Sequence, residues 1–227
     1  EVAVENYSGF QSYLSNYGEL SNKGFEIGLN AEIFTKRLFN WISSFNISQN
    51  KNKIDVLPTP MSFEDRQFIR IEEGYPLYSY WLYNVQGVAP QTGDLQIEDV
   101  NNDGQITASD RKILGDAWPK YYGGWSNNFS FKGFDLNLLI TYSYGNHVWN
   151  HNRALGEQGG KLDANRVLFA TQLDRWQKPG DITDVPRLAL KNYDKQELSR
   201  FFEDGSFIRL RSLNFGYTLP KTFTLKL

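Results

Sequence analysis

Hydrophobic and polar residues alternate along five stretches of the chain. A period of two places successive side chains on opposite faces of a β-strand, so each stretch predicts a strand with one apolar face and one polar face. The apolar face includes Phe25, Leu29, Leu136, Leu138 and Ile140. The five stretches are residues 23–34, 41–48, 125–132, 134–144 and 206–217.

The third and fourth stretches predict a tight hairpin. Lys132 and Gly133 separate them, and Gly readily adopts the positive φ that two-residue hairpin turns require. If these two residues are the centre of the turn, Phe131 and Phe134 lie opposite each other, both on the apolar side. The turn and the hydrophobic pattern therefore predict the same register.

In the fifth stretch, the alternation does not keep the apolar and the charged residues on separate faces. Leu213 and Phe215 share a face with Arg209 and Arg211. Either a β-bulge near Ser212 exchanges the faces, or the upper part of the strand lies outside the apolar zone. The sequence leaves both open.

The connections between these strands are unequal in length. Those after Phe34 and Phe131 are short, whereas residues 53–123 and 145–205 form long polar segments rich in Gly, Asn, Asp and Pro. Both long segments fall at the same end of the strands, an arrangement typical of outer-membrane barrels.

Aromatic residues near strand ends, as in the belts of such barrels, support this interpretation. They are Trp125, Phe131, Phe134, Tyr142 and Tyr144. A soluble β-sandwich, with the apolar face against a second sheet, is the alternative.

Composition narrows the possible functions. The 227 residues carry a formal net charge of -2, which lacks the basic excess of a nucleic-acid-binding protein. Cysteine is absent, which excludes disulfides and thiolate metal sites. No stretch reaches the roughly 20 apolar residues of a spanning helix. Because the sequence starts at Glu1 rather than Met, we expect it to be a piece of a longer protein.

One motif predicts a calcium loop, in an insert at residues 94–115. Oxygen-bearing side chains occupy positions 1, 3, 5, 7 and 12 of a twelve-residue loop, and Gly104 takes the sharp-turn position. Position 12 is Asp rather than Glu, as in dockerin-type loops, and a helix is expected at 111–114. We expect a structural calcium ion. Its predicted ligands are Asp99, Asn101, Asp103, Gln105 and Asp110.

The histidines, the other carboxylates and the aromatic residues that could have a function do not form a recognisable catalytic motif. His147 and His151 lack the Glu of a zinc-protease motif and a third ligand, so a polar loop is the better interpretation. Glu72, Glu73, Glu203 and Asp204 are expected to be solvated charges. The aromatic run 75–83 either stacks on sugar rings or grips a peptide, or packs its own segment.

Several blocks, in this order, resemble the SusC/RagA-type TonB-dependent outer-membrane transporters of Bacteroidetes-like bacteria. The resemblance covers nearly the whole chain from about residue 20. The blocks are NKGFEIGL from Asn22, GDLQIEDVNNDGQITASDRKILG from Gly93, KYYGGWSNNFSFKGFDLNL from Lys120, RWQKPGD from Arg175, VPRL from Val185 and EDGSFIRLRSLNFGYTLP from Glu203.

The resemblance implies an all-β fold, with residues 1–227 as a partial C-terminal region of a transmembrane barrel of about 22 strands. It also implies outer-membrane lipid around the barrel, TonB-dependent import of oligosaccharides or peptides, and a SusD-like surface lipoprotein as partner. The plug and the TonB box would lie in parts absent from this sequence. Two alternatives are a soluble, calcium-stabilised β-sandwich that binds glycans and, less favoured, a β-rich glycoside hydrolase.

Overall fold

A computed structural model describes residues 2–3, 12–13, 17–63, 66–157, 168–188 and 197–220. Within these residues the chain is mostly β-structure, with one short helix, α1 (His151–Gly156). Three 3₁₀ helices are also described, at Ala108–Asp110, Ala170–Asp174 and Ser199–Phe201. The strands are β1 (Val2–Ala3), β2 (Ser12–Tyr13), β3 (Glu19–Lys36), β4 (Phe39–Val56), β5 (Met61–Phe63), β6 (Arg66–Ile71), β7 (Ser79–Tyr83), β8 (Val85–Val88), β9 (Leu95–Ile97), β10 (Arg111–Asp116), β11 (Tyr121–Phe131), β12 (Phe134–Tyr144), β13 (His147–Trp149), β14 (Phe202–Asp204) and β15 (Phe207–Tyr217).

The chain divides into two compact units. We call residues 22–52, 118–146 and 204–227 the strand unit, and residues 1–21, 53–117 and 147–203 the loop unit. No helix in the described residues has the length and apolar character needed to cross a membrane.

The strand unit contains a five-stranded sheet in the order β15-β12-β11-β4-β3. Its strands correspond to the five alternating stretches, and the pairings of β11 and β12 with their neighbours are antiparallel. Several strands extend further than the pattern predicts, since β4 continues to Val56. The extension is possible because backbone pairing does not require apolar side chains.

The predicted hairpin is confirmed. Phe131 pairs with Phe134, and Lys132 and Gly133 have φ values of 47° and 90°. Two consecutive positive φ values characterise the type I′ turn, whose twist matches that of the flanking strands.

A bulge explains the parity change in β15. Ser212 pairs with Leu139 but Leu210 pairs with Ile140, so Arg211 is the extra residue. Above the bulge, Leu210 returns to the apolar face and Arg209 pairs with Thr141 on the polar face. Of the two possibilities that the sequence left open, the structure has the bulge.

The loop unit has a hydrophobic core of its own. Its largest sheet has the order β10-β7-β6-β5, and both long segments contribute to one buried cluster. The long segments are therefore folded rather than simple surface loops. The buried members are Ile69, Tyr80, Leu82, Tyr83, Trp149, Ala154, Leu198 and Phe201.

Polar contacts also join the two long segments within the loop unit. The Trp176 indole donates to the carbonyl of Pro90 at 2.8 Å, and the Arg187 side chain pairs with Asp94 at 2.7 Å. Gly93 has a φ of 74°, and a Cβ there would lie 2.4 Å from the Trp176 ring. The RWQKPGD block thus packs on the turn that contains Gly93, and no side chain larger than that of glycine fits there beside Trp176.

Candidate functional site

The strand unit exposes a large apolar face. Relative exposures of 61% for Leu29, 83% for Ile208 and 70% for Phe215 are high for such residues. Aromatic pairs cross the strands on this face, including Trp41 on Phe129 with ring centroids 5.4 Å apart. A contiguous apolar surface of this kind marks contact with a membrane or another apolar partner.

Two tryptophans on this face have their polar atoms satisfied by neighbouring strands. The Trp41 indole donates to Oδ1 of Asn127 at 3.0 Å, and the Trp125 indole donates to Oγ of Ser43 at 2.8 Å. Asn127 is only 2% exposed. Because both indole N–H groups are bonded within the sheet, the rings need no water.

The opposite face of the same sheet is polar with few charges. Paired positions carry hydroxyl and amide side chains, such as Ser44 opposite Ser126 and Asn128 opposite Asn137. The sheet thus has the apolar and hydrated faces expected of a wall between lipid and a polar lumen.

In the loop unit, the acidic motif is organised by its own side chains. Asp99 accepts from the N–H of Gly104 at 2.8 Å, Asn101 accepts from that of Asp103 at 3.1 Å, and Asp103 accepts from that of Gln105 at 2.7 Å. The bonds of Asn101 and Asp103, each to an N–H two residues on, are Asx turns, and the bond of Asp99 closes the loop across five residues. The first predicted ligands are therefore brought together on one tight loop.

Asp110, the predicted twelfth ligand, is fully buried and serves as a cap. Its carboxylate accepts from the N–H of Thr107 at 2.6 Å and from that of Val100 at 3.0 Å. It forms a capping box with Thr107 around the 3₁₀ helix Ala108–Asp110. The Thr107 backbone N–H, with smaller help from Val100 and Asn101, lowers the pKa of Asp110.

The expected helix at 111–114 is wrong. Residue 111 is already extended, with φ of -78° and ψ of 144°, and Arg111–Asp116 forms strand β10 against β7. Apolar residues at 113 and 114 suit either element, and cross-strand pairing decides in favour of the strand.

The donors of the acidic loop are hard oxygen atoms, which fits Ca²⁺ or Mg²⁺ chemically. The oxygens of Asp110 are already engaged, since Oδ2 accepts from both the N–H and the hydroxyl of Thr107 and Oδ1 accepts from the N–H of Val100. Within the part of the chain that the structure describes, no three His, Cys, Asp or Glu side chains converge as a metal-binding group. The structure thus shows a loop with suitable donors, in which Asp110 serves a capping role.

The histidines belong to different elements. His147 lies in β13 and stacks on Phe202 with centroids 4.5 Å apart, whereas His151 begins α1 and contacts Trp149. They do not share a helical face. Their aromatic contacts agree with a structural role.

The aromatic run 75–83 divides between surface and core. Tyr75 and Tyr78 are exposed at 42% and 44%, whereas Tyr80 and Tyr83 belong to the buried core. Burial raises the pKa of Tyr80. Packing within the segment is therefore confirmed for Tyr80 and Tyr83, and stacking on a ligand by the exposed Tyr75 and Tyr78 stays a prediction.

Sequence reasoning missed a buried ion network around Glu157. Its carboxylate pairs with Arg153 at 3.1 Å and Arg200 at 2.9 Å, and accepts from Thr171 at 2.8 Å. Arg153 also pairs with Glu203, so that carboxylate is not simply solvated. Only the i,i+4 spacing of Arg153 and Glu157 could have indicated part of this network.

The open antiparallel sheet, apolar on one face and polar on the other, defines a segment of the wall of a large β-barrel. The chain is 35% identical over 96% of its length to TonB-dependent receptor P3 of Formosa agariphila, and spans 23% of that protein. It is 24% identical over 93% of its length to TonB-dependent receptor SusC of Bacteroides thetaiotaomicron, and spans 22% of it. No protein-family model matches.

Solved structures agree with the sequence comparisons. The RagAB peptide transporter superposes with a TM-score of 0.81 and 26% identity, over 97% of this chain and 25% of that chain. The "closed-closed" state of the RagAB peptide importer gives a TM-score of 0.79. The resemblance to SusC/RagA-type TonB-dependent transporters is therefore confirmed, and the chain spans about a quarter of the length of these relatives.

Proposed function

We propose that this chain forms part of the wall and outer loops of an outer-membrane transporter that imports nutrients in a TonB-dependent manner. The observation that carries the proposal is the strand unit's exposed apolar face on a sheet whose other face is polar. Similarity to TonB-dependent receptors over 96% of the chain supports it. The chain would lie near the C-terminal end of the barrel and act as a transporter rather than an enzyme.

The proposal includes partners. A SusD-like surface lipoprotein would contact the loop unit from outside, outer-membrane lipid would cover the apolar face, and oligosaccharide or peptide would be the cargo. Energy would arrive from the TonB complex through other parts of the protein. Similarity to SusC and to RagAB supports this set of partners.

Fractionation and uptake of the full-length protein test the proposal. We expect the protein in the outer membrane, extracted only by detergent, and migrating as a heat-modifiable barrel. Growth on its cargo should require both the protein and TonB. Recovery as a soluble monomer, or uptake that persists without TonB, would contradict the proposal.

We also propose that the acidic loop holds a structural calcium ion through Asp99, Asn101, Asp103, Gln105 and Asp110. The preformed Asx turns that gather the first donors support this. The ion would brace the loop, because neutralising clustered oxygens offsets their mutual repulsion.

Thermal unfolding with Ca²⁺ or Mg²⁺ tests the calcium proposal. Millimolar Ca²⁺ should raise the unfolding temperature of the full-length protein, and Mg²⁺ should do so much less. Asp103→Asn should remove the Ca²⁺ shift. Asp184 is an exposed carboxylate outside the loop, so Asp184→Asn should keep the shift. An equal shift in both variants would exclude the loop as the site.

A further inference from the structure

The loop unit contains a cavity of about 540 Å³ on one face of its main sheet. This volume lies within the range of about 300–1,000 Å³ that is usual for small-molecule sites. Strands β6, β7 and β10 form its floor, and the 3₁₀ helix at the end of the acidic loop forms one wall. Its polar and aromatic lining residues include Arg70, Glu72, Tyr75, Trp81, Ser109 and Lys112.

Arg70 is held in place at the centre of this lining. Its guanidinium lies 4.2 Å from the centre of the Trp81 ring, and its Nε donates to the Glu72 carboxylate. Its side chain is 23% exposed. Among the described residues no protein acceptor is bonded to its two terminal nitrogens, which form the fork that matches a carboxylate.

The positive charge around the cavity is limited. Lys112 pairs with Glu98 at 2.6 Å, and Arg111 pairs with Glu197 at 3.5 Å. Arg111 is also nearly buried, with a side chain 9% exposed, and lies over Trp81. The cavity therefore suits a single negative group rather than a densely charged polymer.

The remaining lining groups suit hydroxyls beside that negative group. Glu72 provides acceptor oxygens and Ser109 provides a hydroxyl. Tyr75 presents a ring that is 42% exposed and able to stack on an apolar sugar face. Trp81 is already covered by Arg70 and Arg111, so Tyr75 is the better stacking platform.

We propose that this cavity is a cargo-recognition subsite for an acidic sugar unit of an oligosaccharide. Arg70 would bind its single carboxylate through the terminal nitrogens, and Lys112 through an ammonium N–H that the pair with Glu98 does not use. Glu72 and Ser109 would bind its hydroxyls, and Tyr75 its ring face. The assignment rests on the proposed transport function, since it names the cargo class of that transporter.

Calorimetric titration of the purified full-length protein in detergent tests the subsite, with trigalacturonate as the probe. Maltotriose is the neutral control and triglutamate the acidic peptide control. Trigalacturonate should bind more tightly than both, and more weakly as salt is added. Equal binding of maltotriose, preference for triglutamate, or no binding of trigalacturonate would overturn the proposal.

Variants assign the binding to the cavity. Arg70→Gln and Lys112→Gln should each weaken trigalacturonate binding by about tenfold or more, as expected for a lost charge-assisted bond. Arg37→Gln, in the exposed turn between β3 and β4, should bind like the parent. Arg70 packs on Trp81, so the unfolding temperature of each variant is measured beside its affinity. If Arg70→Gln does not fold, the affinity of Lys112→Gln decides the test. Unchanged affinity in folded variants would overturn the proposal.

The titration needs neither TonB nor a membrane potential. Loss of the subsite is thus distinguishable from failure of the transport proposal, which fractionation and TonB dependence test separately.

Discussion

At the scale of single residues, Asp110 shows how a predicted metal ligand can have a structural role that its motif does not reveal. The sequence presents it as a metal ligand, and the structure shows a buried acceptor for two backbone N–H groups. The twelve-residue motif could predict the oxygen chemistry of Asp110 but not its burial. Burial depends on where β10 pairs, which local sequence does not determine.

Asp110→Asn should open the acidic loop at neutral pH, because an amide offers one acceptor oxygen where the carboxylate offers two. Amide hydrogen exchange at Val100 and Thr107 should speed up. Since the folded pKa of Asp110 is lowered, its stabilisation is complete above the ordinary Asp pKa of about 3.9 and is lost as pH falls through the folded value. Parent and variant should therefore converge in protection at low pH. A difference that is the same at all pH values would contradict this role, and Asp184→Asn provides the matched control.

Gly123 is a second residue whose identity is determined by its immediate surroundings. A Cβ at this position would lie 2.1 Å from the backbone oxygen of Asn46, on the neighbouring strand. Gly28, also within a strand, has open space around its Cβ position. The sequence pattern places Gly28 within a strand and Gly123 in a long polar segment, and it gives no sign that only Gly123 requires glycine.

Gly123→Ala should reduce the yield of folded, heat-modifiable full-length protein, because the clash is with backbone rather than with a flexible side chain. We expect a cost of about 1–3 kcal/mol, in the range of strained substitutions. Gly28→Ala should fold as well as the parent in the same gel assay. Similar losses in both variants would contradict this prediction, because Gly→Ala without a clash restricts the unfolded chain and is not expected to destabilise.

At the scale of elements, period-two patterning predicts the strand unit well. The apolar face, the Lys132-Gly133 turn and its register follow from local sequence. The bulge at Arg211 is not determined locally, since it depends on pairing with β12. The core of the loop unit could not be predicted, because the strands of this unit are only two to six residues long and come from distant segments.

The ion network around Glu157 stabilises helix α1 against two 3₁₀ helices. The Glu157 side chain is 1% exposed, whereas that of Glu203 in the same network is 41% exposed. Removing one partner of a buried pair costs much more than removing an exposed one, because an uncompensated charge remains buried.

Glu157→Gln should therefore destabilise the loop unit by about 3 kcal/mol, and Glu203→Gln by about 1 kcal/mol or less. Hydrogen exchange across 147–157 and 197–203 measures both. Equal protection in the two variants would mean that burial does not decide the energetics of this network.

At the scale of the whole molecule, the similarity to SusC and RagAB decides between architectures that local sequence patterns leave open. Alternation alone leaves both a sandwich and a barrel open. The exposed apolar face and the fit to RagAB support the barrel wall. Cargo and partner assignments depend on side chains of the loop unit, where short strands and irregular segments give the weakest sequence signals.

The packing of Trp176 on the turn at Gly93 constrains how the two long segments can change in evolution. Each long segment completes the other, through the bonds to Pro90 and between Arg187 and Asp94. Grafting only residues 57–117 from a relative should leave mismatched partners and a poorly expressed chimera. Grafting residues 57–117 together with 147–203 should restore the yield. Recombination that diversifies these proteins would then have to transmit the two segments as one heritable module, although some thirty residues of barrel wall separate them in the gene.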